Sequence, residues 1–157
     1  MKKIVVSIAL IMTLLVVGAG MWLQKTPPLE HGAFITNGDR TSIIIELGNK
    51  GFRDIQLTDV LINNNEEPID VKMQINNAEQ GFVLVDTFHS PEAKDVHFMS
   101  LKDGHIKKGM IEEQLNAKES MNVYGLSIMN KQPITSVEIH YRYLGMSYAV
   151  ELDTDEL

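Results

Sequence analysis

Strict alternation of apolar and polar residues dominates the chain beyond residue 40. The segment VEIHYRY (137–143) has an apolar or aromatic residue at every second position, and IDVKMQI (69–75) and MSYAVEL (146–152) repeat the pattern. A period of two indicates β-strands with one face in a core, because successive side chains of a strand point to opposite faces. Only Leu144 and Gly145 separate two of these segments, so they predict a hairpin with a two-residue turn.

Further segments rich in β-branched and aliphatic residues are bounded by turn-forming residues. They predict strands over residues 42–48, 55–63, 82–88, 96–101 and 121–129. Within 55–63 the alternation slips between Leu57 and Val60, which predicts a β-bulge near Thr58 and Asp59.

Eight predicted strands without alternating helices favour an all-β fold. We expect an antiparallel β-sandwich of immunoglobulin-like outline, preceded by an N-terminal transmembrane helix. Residues 106–120 fit either a short helix or a loop followed by a short strand.

The N-terminal run of uncharged residues is the strongest targeting signal in the chain. It covers the twenty residues 4–23, behind Lys2 and Lys3. At ~1.5 Å rise per residue, such a helix spans roughly 30 Å, the thickness of the hydrocarbon core of a bilayer. The run predicts a signal anchor in the cell membrane, single-pass, with the C-terminal domain extracytoplasmic. A cleaved signal peptide is the alternative, with Val17 and Ala19 at the −3 and −1 positions.

The chain therefore divides into an anchor (1–25), a tether that leads into the domain (26–40) and a β-sandwich domain (41–157). Pro27 and Pro28 favour an extended tether. Beyond the anchor lie 11 basic and 21 acidic residues, a net charge of −10 with neutral histidines. That charge predicts no nucleic-acid partner and repulsion from anionic lipid headgroups.

A metal site is the main alternative that the residues suggest. The stretch HSPEAKDVHFMSLKDGH (89–105) holds three histidines among acidic residues. If the strands predicted on either side of its first loop form a hairpin, His89 and His97 flank that loop and Asp95 lies inside it. Two imidazoles and a carboxylate suit zinc or copper(II), so His89, His97 and Asp95 are the candidate ligands. The other interpretation is a solvated polar loop.

The third histidine is predicted to lie too far away to share this site. His97 begins the strand predicted over 96–101, and His105 follows the turn after it. Six strand residues at ~3.3 Å each would put the ends of this strand roughly 20 Å apart, with the two histidines near opposite ends.

The tripeptide HFM (97–99) resembles a His-x-Met element of the periplasmic copper chaperones, which are small β-sandwiches behind a leader. The second His-x-Met element of that family, on a late strand, has no counterpart here. The nearest stretch, VYGLSIM (123–129), contains no histidine.

No arrangement of residues in the sequence indicates catalysis. It has no glycine-rich phosphate loop, no Gly-x-Ser-x-Gly elbow, no His-Glu-x-x-His motif and no cysteine. We therefore expect no enzymatic activity and no cofactor. The sequence predicts a membrane-anchored extracytoplasmic binding or accessory module at a bacterial cell surface, with a protein partner there. The alternative is an extracytoplasmic zinc- or copper-binding protein that uses the histidine pair.

Overall fold

A computed structural model of the chain describes residues 10–15, 18, 26–117 and 121–154. Within this part of the chain, nine strands form two antiparallel sheets. The strands are β1 (Leu29–Thr36), β2 (Ser42–Asn49), β3 (Ile55–Ile62), β4 (Asp70–Asn77), β5 (Phe98–Met99), β6 (His105–Ile106), β7 (Asn122–Met129), β8 (Ser136–Tyr143) and β9 (Met146–Asp153). A 3₁₀ helix covers Pro91–Ala93, and an α-helix, α1, covers Ile111–Asn116.

The two sheets enclose one main hydrophobic core. Sheet A has the strand order β1-β2-β7-β4-β5, and sheet B has the order β6-β3-β8-β9. Leu47, Met73 and Leu126 of sheet A and Leu57 and Ile139 of sheet B are fully buried in the same cluster. The prediction of an all-β, two-sheet antiparallel architecture is confirmed.

The register of β8 follows the alternation in its sequence. Ile139 and Tyr141 are fully buried, whereas His140 lies on the opposite face, with Nε2 3.2 Å from Oε1 of Glu138. Tyr141 stacks on Tyr148 of β9 at a ring distance of 5.2 Å, and burial raises the pKa of Tyr141 to about 12. The phenol therefore stays neutral in the core at ordinary pH.

The predicted hairpin and bulge are both present. Leu144 and Gly145 join β8 to β9 with φ angles of 52° and 79°, the positive values that a type I′ turn requires. The pairing of β3 with β8 slips by one residue between Leu57 and Asp59, which places the bulge at Thr58.

The sandwich begins earlier than the strand pattern indicated, because β1 lies within the stretch assigned to the tether. A bulge interrupts its pairing with β2 between His31 and Phe34. Oε2 of Glu46 accepts a hydrogen bond of 3.4 Å from the backbone N–H of Ala33 inside this bulge. The irregular pairing breaks the period of two, which is the signal by which a strand is read from sequence.

The strand predicted over 82–88 is wrong. Residues 81–85 have no regular structure and cross the outer face of sheet A. The side-chain amide of Gln74 replaces strand pairing there: Oε1 accepts from the N–H of Val83 at 2.7 Å, and Nε2 donates to its carbonyl oxygen at 3.0 Å. The hydroxyl of Ser42 donates to the carbonyl oxygen of Val85 at 2.9 Å. Polar side chains of sheet A thus bind this segment by its backbone.

Both faces of sheet A are therefore covered. A second apolar cluster forms on the outer face around Val85, Ala93 and Met129. Nearer β1, α1 packs over the same face, and a Cβ on Gly48 would lie 2.9 Å from the backbone nitrogen of Ile111. Double coverage explains why every residue of β2 is buried.

The N-terminal part of the structure is a short apolar helical segment. Residues 10–15 are helical, and their large apolar side chains are between 57% and 65% exposed. No helix among the described residues is long and apolar enough to cross a membrane. The remainder of the predicted anchor, including Val17 and Ala19, lies outside the described residues.

A matched pair of substitutions tests the register of β8. Ile139→Asn buries an amide without a partner, so we expect it to lower the free energy of unfolding by about 3 kcal/mol or more. His140→Asn, on the opposite face, should change it by less than about 1 kcal/mol. Urea unfolding of a fragment covering residues 26–157, followed by circular dichroism, measures both. Equal losses would contradict the register.

A second pair tests the attachment of the segment over sheet A. Gln74→Leu leaves both backbone groups of Val83 without their partner, and we expect a loss of about 2 kcal/mol and faster hydrogen exchange at Val83. Gln56→Leu is the control, because Gln56 makes one exposed hydrogen bond of 3.0 Å to the carbonyl oxygen of Lys102. Slow exchange at Val83 in the Gln74 variant would show that other contacts hold the segment.

Candidate functional site

The strand pairings define two ends of the sandwich. The proximal end is the end at which β1 begins; there β2, β4 and β8 finish and β3, β7 and β9 start. Its connections are residues 50–54, 78–80, 107–110 and 144–145. Strand β5 runs away from this end and β6 runs back toward it, so residues 100–104 lie farther from it. The opposite, distal end has the connections 37–41, 63–69 and 130–135.

An open cavity of about 410 Å³ at the proximal end brings together side chains from four strands and the loops beside them. We call it the histidine cleft. Its lining residues are Ile75, His97, Met99, Asp103, His105, Lys107, Asn122 and Tyr124.

Short strands and a tight turn place two histidines on this cleft. His97 directly precedes β5, and its carbonyl oxygen accepts a hydrogen bond of 3.0 Å from the N–H of Ile75. After β5 the chain reverses at once, since the N–H of Gly104 donates to the carbonyl oxygen of Ser100 at 3.0 Å. His105, the first residue of β6, then pairs with Gln56 of β3.

The expected separation of His97 and His105 by a six-residue strand is therefore wrong. The strand predicted over 96–101 is reduced to Phe98–Met99, and the turn that follows returns the chain to the same cavity. Gly104 allows this close turn, because a side chain there would overlap the thioether of Met73.

Most polar side chains of the cleft can donate a hydrogen bond. The ammonium of Lys107, the amide of Asn122 and two imidazoles can each donate. The carboxylate of Asp103 already accepts a hydrogen bond of 2.6 Å from the hydroxyl of Ser100. These donors, among them the ammonium of Lys107, suit a ligand group that accepts hydrogen bonds.

Two neighbouring cavities extend the cleft. One of about 210 Å³ shares Lys107, Asn122 and Tyr124 with it and adds Lys108 and Met121. The other, of about 450 Å³, shares His105. The rest of its lining consists of Asp54, Gln56, Arg142, Tyr143, Leu144 and Gly145. His105 thus lies between two cavities of the same surface.

The metal ligands suggested by the sequence lie in an exposed loop. His89, Asp95 and His97 are all exposed, on either side of the 3₁₀ helix. A hydrogen bond from its own backbone N–H lowers the pKa of Glu92, which lies in this loop. No group of three or more His, Asp or Glu side chains in the described ranges is placed to hold a metal ion. A pair of imidazoles from His89 and His97 stays a prediction.

Sequence reasoning singled out His97 and His105 but missed the rest of the cleft. Lys107, Asn122 and Tyr124 lie up to 27 positions from His97 and belong to no motif. Only the pairing of β7 with β4 and of β6 with β3 brings them together.

Comparisons of this chain with protein-family models, with curated proteins and with solved structures find no match.

Proposed function

We propose that this protein is a membrane-anchored, extracytoplasmic, non-catalytic binding module whose ligand carries an anionic group. The observation that carries the proposal is the convergence of His97, His105 and Lys107 on one open cleft. We also propose that the two-sheet fold is of the immunoglobulin-like type.

The anchoring part of the proposal depends on the N-terminal residues. The twenty uncharged residues 4–23 are long enough for one membrane crossing. The side chains of residues 10–15 are largely exposed, although all but Thr13 are large and apolar. Exposed apolar surface of this kind favours a lipid environment.

The cleft supplies recognition but no reaction centre. Imidazole and ammonium groups line the cleft, and its single carboxylate accepts a hydrogen bond from Ser100. A nucleophile activated by an adjacent base is the usual requirement for covalent catalysis, and the lining of the cleft supplies none. Binding without chemical conversion is the role that this lining suits.

Zinc or copper binding by His89 and His97 is the second candidate. Two exposed imidazoles near one turn suit a weak site. In the fold, His97 shares its cavity with His105 and Met99. These two residues are a different set of candidate ligands for the same metals.

Anchoring is tested on membranes from cells that make the full chain. An uncleaved anchor keeps the protein in the pellet after carbonate washing, with Met1 or Lys2 as its first residue, because the apolar run stays in the bilayer. Mass spectrometry of the intact protein gives the N-terminus. Soluble protein that begins at Gly20 would contradict the anchor and support cleavage.

Ligand binding is tested through the five histidines, of which His97 and His105 line the cleft and His31, His89 and His140 do not. We expect the imidazole resonances of His97 and His105 to shift together when a 26–157 fragment is titrated with inorganic phosphate. Those of His31, His89 and His140 should stay in place. Lys107→Gln should weaken the response several-fold, since one charge-assisted hydrogen bond contributes about 1.5 kcal/mol or more.

The same spectra distinguish the two candidate functions. Zinc held by the predicted pair would shift His89 and His97 at micromolar concentration, and that response should weaken as the pH falls through ~6.5. No shift of His97 and His105 with phosphate at concentrations up to tens of millimolar would reject the cleft. Lys131→Gln, at the distal end, is the matched control for Lys107→Gln.

A further inference from the structure

We infer that the proximal end of the sandwich rests on an anionic bilayer surface, with Phe52 and Leu144 in contact with the lipid. This inference rests on the proposed anchoring and adds a second, peripheral membrane contact made by the folded domain. It follows from the apolar side chains, the charges and the chain path at that end.

Phe52 and Leu144 are among the large apolar side chains that project from the connections of the proximal end. Phe52 is 63% exposed and Leu144 is 42% exposed, although each lies next to the core residue Tyr143 in space or in sequence. The backbone N–H of Phe52 donates to the hydroxyl of Tyr143 at 2.9 Å, and the two rings meet edge to face at 5.9 Å. Phe52 is thus held outward by specific contacts, in the way that aromatic side chains anchor proteins at a membrane interface.

The chain reaches the domain directly beside Phe52. The carbonyl oxygen of Pro28 accepts a hydrogen bond of 2.8 Å from the N–H of Lys50. Pro27 and Pro28 line a cavity of about 140 Å³ together with Phe52 and Tyr143. Pro27 and Pro28 are therefore part of the proximal surface.

The short link between the apolar run and the first strand keeps this surface close to the bilayer. Five residues, 24–28, follow the apolar run, and at ~3.5 Å each they span at most about 17 Å. The headgroup layer itself takes up about 5–8 Å on each side of the hydrocarbon core. The remaining gap is close to the screening length of about 8 Å at physiological salt, so charges on the proximal surface act on the headgroups.

More basic residues lie at the proximal end of the sandwich than at the distal end. Five of the eleven basic residues beyond the anchor lie in the connections and strand ends of the proximal end: Lys50, Arg53, Lys107, Lys108 and Arg142. Five acidic residues accompany them: Glu30, Asp54, Glu79 and, on α1, Glu112 and Glu113. The distal end has two basic residues, Arg40 and Lys131, against six acidic ones: Asp39, Glu66, Glu67, Asp70, Glu151 and Asp153.

The net charge is thus 0 at the proximal end and −4 at the distal end. Two of the proximal charges are paired, since Nζ of Lys50 lies 3.1 Å from Oε1 of Glu30. On α1, the carboxylate of Glu113 accepts a hydrogen bond of 3.0 Å from the N–H of Met110. The expected repulsion between the domain and anionic headgroups applies to the distal end, which faces away from the bilayer.

A second copy of the chain fits the proximal surface less well than a bilayer does. The acidic distal end of another copy would attract its basic residues. A shared membrane anchor holds all copies in one orientation, however, so that their proximal ends all face the bilayer. Side-by-side copies cannot present a distal end to a proximal one.

The absence of cysteine from the chain allows a direct test. We propose to place one cysteine at Leu144 or at Ile69, to attach a fluorophore, and to reconstitute the full chain in vesicles that contain lipids with a headgroup quencher. Ile69 is the matched control, since it is 57% exposed and precedes β4 at the distal end. Quenching should be strong for the label at Leu144→Cys and weak for the label at Ile69→Cys. Equal quenching of the two labels would overturn the inference.

Charge variants of the Leu144→Cys protein test the contribution of the basic residues. Each basic residue near an anionic surface changes the docked-to-undocked ratio by a factor of about five. Arg53→Glu should lower this ratio at least that much in vesicles with phosphatidylglycerol, whereas Lys131→Glu should leave it unchanged. Quenching that is the same in purely zwitterionic vesicles, or that persists at 1 M salt in both variants, would overturn the electrostatic part.

Carbonate extraction of the same vesicles separates this inference from the proposed anchoring. Loss of the protein from the vesicles is a failure of anchoring. Retained protein with equal quenching at the two labels is a failure of docking alone. Circular dichroism of each variant confirms that it is folded.

Discussion

The burial of sheet A on both faces is the constraint on which the rest of the structure depends. An antiparallel sheet can leave one face in water, and sheet B does so with residues such as His140 and Glu138. Sheet A instead has apolar residues on its outer face, including Ile44, which is 1% exposed. The long connection from β4 to β7 must therefore cross that face and cover it.

The path of this connection determines where the polar side chains of the histidine cleft lie. Residues 81–96 cover the outer face near Ser42 and Met129, held by the paired hydrogen bonds between Gln74 and Val83. The chain then adds β5 to the edge of sheet A and β6 to the edge of sheet B before α1 returns to the outer face. His97, His105 and Lys107 reach one cleft because both short edge strands meet at the proximal end.

Much of the sandwich could be predicted because its strands bury one face. Ile139 and His140 are assigned to opposite faces by alternation alone, and the slip in the pattern at Thr58 identifies the bulge. Predictions fail where a side chain takes the place of backbone pairing. The segment 82–88 has the composition of a strand, but the amide of Gln74, nine positions away from Val83, replaces the neighbouring strand.

The sequence by itself determined the strand-rich, two-sheet architecture, the register of its central strands, the hairpin at Leu144 and Gly145, and the apolar N-terminal run. These features are local, since a period of two or an uncharged run of twenty residues is complete within one segment. Only the tertiary structure decided that His97 and His105 share a cavity and that basic residues gather at the end where the chain joins the domain. Both depend on which strand ends lie together. Net charge and residue spacing cannot carry that information, because they do not depend on the pairing of distant segments.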